Sequence, residues 1–402
     1  MLRGRLIAQL NKLHSGQVNL QDDCGSVQLG TQSAALCVRV QVSNPAFYRA
    51  VAAHGSVGAA QAYMAGDWRC DDLVALVRIL VRNRALLDGM ERGWARAGGW
   101  LLRSAHALRR NTLAGSRRNI AAHYDLGNEF FALFLSPDLM YSSAYWTRED
   151  DTLARASTRK LELICAKLHL GPGDHLIEIG SGWGGFALHA AARHGCRVTT
   201  TTISGEQHAL TTERVARAGL ADRVTVLLED YRNLTGQYDK LVSIEMIEAI
   251  GPAYLGTYFA QLGRLLRPSG LALLQAITIE DHRYMQALKS VDFIKRHVFP
   301  GSFIPSIQAM LAAKTQASDL GLVHLEDFGD SYARTLEAWR QRFLEHLAEV
   351  RELKCDEPFI RMWEFYLAYC EGGFRERSIG VAHLLLAKPG YRRPAPWVAA
   401  GG

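Results

Sequence analysis

Three groups of residues in this chain have the types and spacing to do chemistry. The first is the run Leu176-Ile177-Glu178-Ile179-Gly180-Ser181-Gly182-Trp183-Gly184-Gly185. A short apolar stretch ends in glycines at 180, 182 and 184, and a helical pattern follows. Gly180 permits a tight turn, and Gly182 lets backbone come close to a ligand. The second group is Leu228-Glu229-Asp230-Tyr231. There an acid able to accept from an amino group stands beside a ring able to stack. The third is Glu248, in Ile244-Glu245-Met246-Ile247-Glu248-Ala249-Ile250. A carboxylate just past a strand end lies where open α/β sheets place their chemistry. The same position also suits a surface carboxylate favoured by a helix dipole.

The glycine turn narrows the choice of cofactor. A dinucleotide site carries an acid near the end of its second strand. The next strand here ends Thr199-Thr200-Thr201-Thr202, which disfavours NAD. Glu178, close to the strand end, suits S-adenosylmethionine enzymes, whose turn faces the amino-acid part of the cofactor. Asp230 then serves the adenine amino group, or merely caps a turn.

Seven candidate strands must position these groups: residues 174–179, 197–202, 223–228, 240–244, 271–277, 322–328 and 380–387. Helical patterns at 187–195, 205–218 and 253–267 alternate with them. That alternation implies a parallel sheet covered on both faces. Upstream, Leu2, Leu6, Ile7, Leu10 and Leu13 fall at helical spacing over residues 2–14. This amphipathic helix can lie on a membrane or pack on its own domain. Short strands are expected in 18–42 and helices in 45–112, broken near Gly55, Gly66 and Gly98-Gly99. A first domain therefore spans 1–118, a second 119–390, and 391–402 form a loose tail.

The chain has 402 residues, 48% hydrophobic and 21% charged, so disorder and fibrous classes are excluded. No apolar run approaches the ~18 residues of a membrane span. The start lacks the apolar core of a signal peptide. Seven scattered cysteines form no C-x-x-C pair, which argues against a zinc ribbon or a disulfide scaffold and fits a reducing cytoplasm. The net charge of +6 is concentrated: residues 78–118 carry ten arginines against Asp88 and Glu91, a local +8. Such a field attracts phosphate-bearing surfaces, nucleic acid or anionic lipid, although charge runs are often only solvated faces.

With these pieces in place, the sequence resembles the cyclopropane-fatty-acyl-phospholipid synthases, S-adenosylmethionine-dependent lipid methyltransferases. The resemblance rests on His123-Tyr124-Asp125-Leu126-Gly127-Asn128, Met140-Tyr141-Ser142-Ser143-Ala144-Tyr145-Trp146, the glycine turn, Ile203-Ser204-Gly205-Glu206-Gln207, Glu229-Asp230-Tyr231-Arg232, Glu245-Met246-Ile247-Glu248, Val298-Phe299-Pro300-Gly301 and Phe328-Gly329-Asp330-Ser331-Tyr332. It implies an α/β fold: a seven-stranded Rossmann-like methyltransferase sheet with a smaller, mostly helical, lipid-docking N-terminal domain. It implies an S-adenosyl-L-methionine site at Tyr141, Ser142, Gly180, Gly182, Thr202, Gln207, Asp230 and Tyr231. It implies a bicarbonate site built from Glu248, Tyr332 and the backbone at Ile277. Three residues depart from the family pattern: Ser143 for cysteine, Gln275 for histidine and Ala249 for histidine. Glutamine keeps hydrogen-bonding capacity but loses a group that titrates near neutrality. Residues 278–335 form an insertion in which Tyr284, Phe293, Val298, Phe299, Phe303 and Ile304 suit a cover over an acyl tunnel.

The implied reaction adds the sulfonium methyl to an alkene of a phospholipid acyl chain. Bound bicarbonate then removes a proton and a cyclopropane ring closes. The alternatives are methylation of an unsaturated or furan-type chain without ring closure, and an inactive lipid-binding homologue. The expected partner is unsaturated phospholipid, met peripherally on the inner face of the membrane from the cytoplasm. Nucleic acid is not expected, and a homodimer stays open.

Overall fold

The computed structural model describes residues 1–32, 34–86, 88 and 127–392. Most of the arginine-rich stretch, the joint at 115–118, residues 123–126 and the tail from 393 lie outside the described residues.

Alternating polar and apolar residues near the start build a small sheet. Its strands are β1 (Gln17–Asp22), β2 (Gly25–Gly30), β3 (Cys37–Val42) and β4 (Trp68–Cys70), in the order β2-β1-β3-β4. In β3, Val38, Val40 and Val42 point inward while their neighbours face out, the period-2 pattern of a half-buried strand. The helices Leu2–Leu10, Ala46–Met64 and Leu73–Arg82 accompany this sheet. The second bends at Gly55, φ +56°, where the break was expected. The N-terminal region is therefore mixed, with a fourth strand that its sequence did not announce.

The larger sheet holds β5 (His175–Ile179), β6 (Arg197–Thr202), β7 (Val224–Leu228), β8 (Tyr238–Ile244), β9 (Leu266–Ile279), β10 (Gly321–Asp327) and β11 (Ile379–Ala387). The order is β10-β11-β9-β8-β5-β6-β7. β5 to β9 are mutually parallel; β5, β6 and β9 are buried on both faces, whereas the edge strand β7 is fully buried only at Val224. β11 corrects the all-parallel expectation, because it pairs antiparallel with both β9 and β10. Helix Glu357–Arg375 delivers the chain to the end where β9 and β10 finish, so β11 must run back.

That helix also joins the two regions. Phe365 on it is buried and meets Tyr63 of helix Ala46–Met64 ring to ring, with centroids 5.6 Å apart, and Glu364 accepts from the Tyr63 hydroxyl at 2.8 Å. Just beyond it, Glu376 accepts from Arg78 Nε at 2.7 Å and from Arg82 Nε at 2.8 Å. Two arginines of the basic stretch are thus ties within the protein and not free phosphate ligands. Glu376→Gln is expected to lower the unfolding free energy by roughly 1 kcal/mol, since the pairs are half exposed. Urea unfolding would register this, with the deficit shrinking in high salt.

Candidate active site

The carboxyl ends of β5 to β9 open into one cavity of about 670 Å³. At its base lies the glycine turn, with φ +94° at Gly180 and +50° at Gly182. A Cβ on Gly182 would meet no atom within 4 Å, so the turn offers bare backbone to open space. Thr202, closing β6, donates its hydroxyl to Gln207 Oε1 at 2.8 Å. Gln207 sits in the first turn of helix Gly205–Arg217, held by the Ser204 cap. Beyond β7, Asp230 accepts from the Arg232 N–H at 3.0 Å and grips its guanidinium through both oxygens at 2.8 and 2.7 Å. The Tyr231 hydroxyl is buried without a hydrogen-bond partner. Tyr141 and Tyr366 share a hydrogen bond of 3.0 Å between hydroxyls. Ser142 Oγ accepts from the Lys160 ammonium at 2.7 Å. Bare backbone, a threonine–glutamine pair and an aromatic ring along one wall fit an S-adenosylmethionine cradle.

The same cavity is also lined by two carboxyl groups. Glu248 Oε1 accepts from the Ile277 N–H at 2.5 Å, while its Oε2 is buried without a partner. Glu245 is enclosed by donors. Its Oε1 accepts from the Ser143 N–H at 2.9 Å and the Gln275 amide at 2.7 Å, and its Oε2 from the Tyr332 hydroxyl at 2.7 Å. All predicted site residues line the cavity except Ser143 and Gln275, which stand behind it and hold Glu245. The Ser143 hydroxyl turns away to the Ala144 carbonyl, 2.9 Å, so only its backbone serves the site. Gln275 Oε1 meets His383 Nε2 at 2.9 Å, and His383 Nδ1 meets Lys167 Nζ at 2.8 Å. With the lysine donating, His383 donates to Gln275, and the glutamine NH2 must face Glu245.

Burial sets the protonation of these groups. It pushes the Glu248 carboxyl up to about 8, and the neighbouring Glu245 charge adds to the effect. Burial also raises Glu245, but the Tyr332 hydroxyl, the Ser143 N–H and the Gln275 amide favour its ionised form. Tyr332 is held well above its usual range by burial and then by Glu245, so it stays a phenol and a donor. Deeper in, burial lifts Glu178 to about 8 despite the Thr200 hydroxyl. It lowers Lys160 to about 8 against the pull of Glu245, Asp138 and Glu178.

The donors expected to hold bicarbonate are therefore committed, Tyr332 to Glu245 and the Ile277 N–H to Glu248, and the Ser143 N–H is likewise taken by Glu245. The residues present do not fit that anion. Glu245, Lys160, Lys167 and His383 carry the site without having been singled out, the last two by orienting Gln275. Glu245 was in plain view three residues before Glu248.

A sheet of this order, with a bare glycine turn after its first strand, defines an S-adenosylmethionine-dependent methyltransferase. The sequence profile described as mycolic acid cyclopropane synthetase matches residues 112–384, and the chain belongs to that family. Tuberculostearic acid methyltransferase UfaA1 of Mycobacterium tuberculosis is 38% identical over 356 residues, covering 86% of this chain and 82% of that protein. The cyclopropane-fatty-acyl-phospholipid synthase of Escherichia coli (strain K12) is 36% identical over 351 residues, covering 87% of each. Among solved structures, the cyclopropane synthase MmaA2 from Mycobacterium tuberculosis aligns with a TM-score of 0.63 and 31% identity, over 68% of this chain and 98% of that one.

Proposed function

We propose that this enzyme transfers a one-carbon unit from S-adenosylmethionine to a double bond in an unsaturated phospholipid acyl chain, closing a cyclopropane ring. One observation carries this: a single cavity joins the glycine turn, the two buried carboxyl groups and an apolar stretch. That stretch is lined by Phe293, Phe299, Phe303 and Ile304 and continues to Leu10, Phe47, Leu73 and Leu76 of the N-terminal region. Apolar walls with a few convergent polar groups are what a lipid chain requires. Tyr284 and Val298, expected in the same cover, do not line the cavity: Val298 is buried in one core cluster, and Tyr284, half-buried, packs against another.

When bound, S-adenosylmethionine supplies an electrophilic methyl group on a sulfonium. The residues of this chain do the rest. Gly180, Gly182, Thr202, Gln207 and Tyr231 fix the donor, and Asp230 with Arg232 closes its far side. The apolar wall holds the alkene in line and keeps water from the cation that forms. The buried carboxyl wall lies ready for that positive charge. Access to the acyl chain is by peripheral contact with the inner face of a membrane. No helix among the described residues is long and apolar enough to cross one.

Incubation with labelled S-adenosylmethionine and a defined mono-unsaturated phospholipid is expected to yield a labelled acyl chain heavier by one CH2. The product should resist mild hydrogenation that saturates alkenes. A product of the same mass that takes up hydrogen would mean methylation without ring closure. No label in lipid would refute the proposal.

A further inference from the structure

We infer that the Glu245 carboxylate is the base and the counter-charge of the reaction in this chain, and that bicarbonate takes no part. The inference deepens the function proposed above and rests on it.

The geometry is that of a built-in anion site already filled by the protein. Three donors from distant parts of the chain converge on Glu245: the backbone at 143, the amide at 275 on β9 and the phenol at 332 on helix Gly329–Glu345. Together they supply the hydrogen bonds that a small carboxylate-like anion needs. The backbone reaches this place by a local strain. Glu245 has φ +50°, a left-handed conformation uncommon for a residue with a side chain. Such strain at a cavity wall points to a function for the group it aims. The neighbouring Glu248 divides the labour. Its Oε2 is buried without a partner, as suits a neutral carboxyl, and a second charge beside Glu245 is avoided.

The step balances with the groups named. The π electrons of the alkene form the new C–C bond as the bond from the methyl carbon to sulfur breaks, and sulfur keeps that pair. One carbon of the former double bond is left positive. Glu245 takes a proton from the added methyl group, and the freed C–H electron pair closes the ring. The carboxylate becomes a neutral acid, which returns its proton to solvent as product leaves.

The test begins with the wild type in CO2-stripped buffer, using a mono-unsaturated phospholipid. Product formation is expected to change less than twofold when bicarbonate is added. Glu245→Gly is expected to lower the rate at least thirtyfold in stripped buffer. Added bicarbonate should recover at least a third of that loss on a logarithmic scale. Glycine suits the left-handed backbone, so this variant should fold; S-adenosylmethionine binding by calorimetry checks it. Glu245→Gln, which keeps the space filled, is expected to be as slow and to gain nothing from bicarbonate. Broadening of the 13C-bicarbonate NMR signal by Glu245→Gly, and not by the wild type, provides a readout independent of turnover. A wild type that depends on bicarbonate, or a Glu245→Gly that keeps its rate without it, overturns the inference. So does a folded, donor-binding Glu245→Gly that bicarbonate fails to rescue, since Glu245 would then only position Tyr332 and Ser143. A wild type that makes no lipid product on any mono-unsaturated phospholipid refutes the proposed function instead.

Discussion

Glu248→Ala is expected to cut product formation at least a hundredfold, about 2.7 kcal/mol of barrier. Glu248→Gln is expected to cost less than tenfold. The difference follows from the protonation state. Burial and Glu245 hold the Glu248 carboxyl protonated up to about pH 8. A glutamine reproduces a neutral group that accepts from the Ile277 N–H through one atom and presents a donor on the other. Alanine strands that N–H and opens the wall beside the cation. The same assignment fixes the pH dependence. As pH rises through about 8, Glu248 ionises next to Glu245 and wild-type activity should fall; in Glu248→Gln that fall should vanish. Stability moves in the same direction. The folded pKa lies above the ~4.3 of an unfolded glutamate. The stabilisation is therefore complete below the unfolded value, and is lost as pH rises through the folded one. Initial rates and unfolding midpoints from pH 6 to 9 would check both. A Glu248→Gln as impaired as Glu248→Ala would show that the ionised form is needed.

Why was Glu248 legible in the sequence and Glu245 not? The strands gave themselves away through local pattern. The β6 boundaries, residues 197–202, match the expectation, because Val198 and the threonines after it form an unbroken buried run. The glycine turn was legible because only glycine adopts its dihedral angles without strain. The direction of β11 was not, since it depends on where helix Glu357–Arg375, which follows β10 in the chain, deposits it. Glu245 likewise depends on partners far along the chain, 102, 30 and 87 residues away. Its left-handed backbone is invisible in the residue type. The departures at 143 and 275 were legible as departures, but their consequence was not. At 143 the backbone alone serves the site, so serine or cysteine suits it equally. At 275 the amide is oriented by His383 and Lys167, two groups that no spacing rule connects to β9.

Gly182→Val is expected to weaken S-adenosylmethionine binding at least a hundredfold while leaving the protein folded. Two physical effects combine. First, φ at this position is +50°, and a β-branched side chain there is a true outlier that strains or remodels the turn. Second, the space its Cβ would enter holds no protein atom within 4 Å. The protein tolerates the added carbon sterically, and the cofactor is what the carbon would displace. That contrasts with Gly184, two residues on, where a Cβ would press to 2.7 Å from Thr211 Cγ2. Gly184→Val should therefore lose thermal stability as well as binding. Measuring both variants by calorimetry and by thermal unfolding separates a cradle from a packing position. If Gly182→Val bound the donor with wild-type affinity, the cradle would lie elsewhere in the cavity. The alkene and the carboxyl wall would then no longer face the methyl group they are arranged to receive.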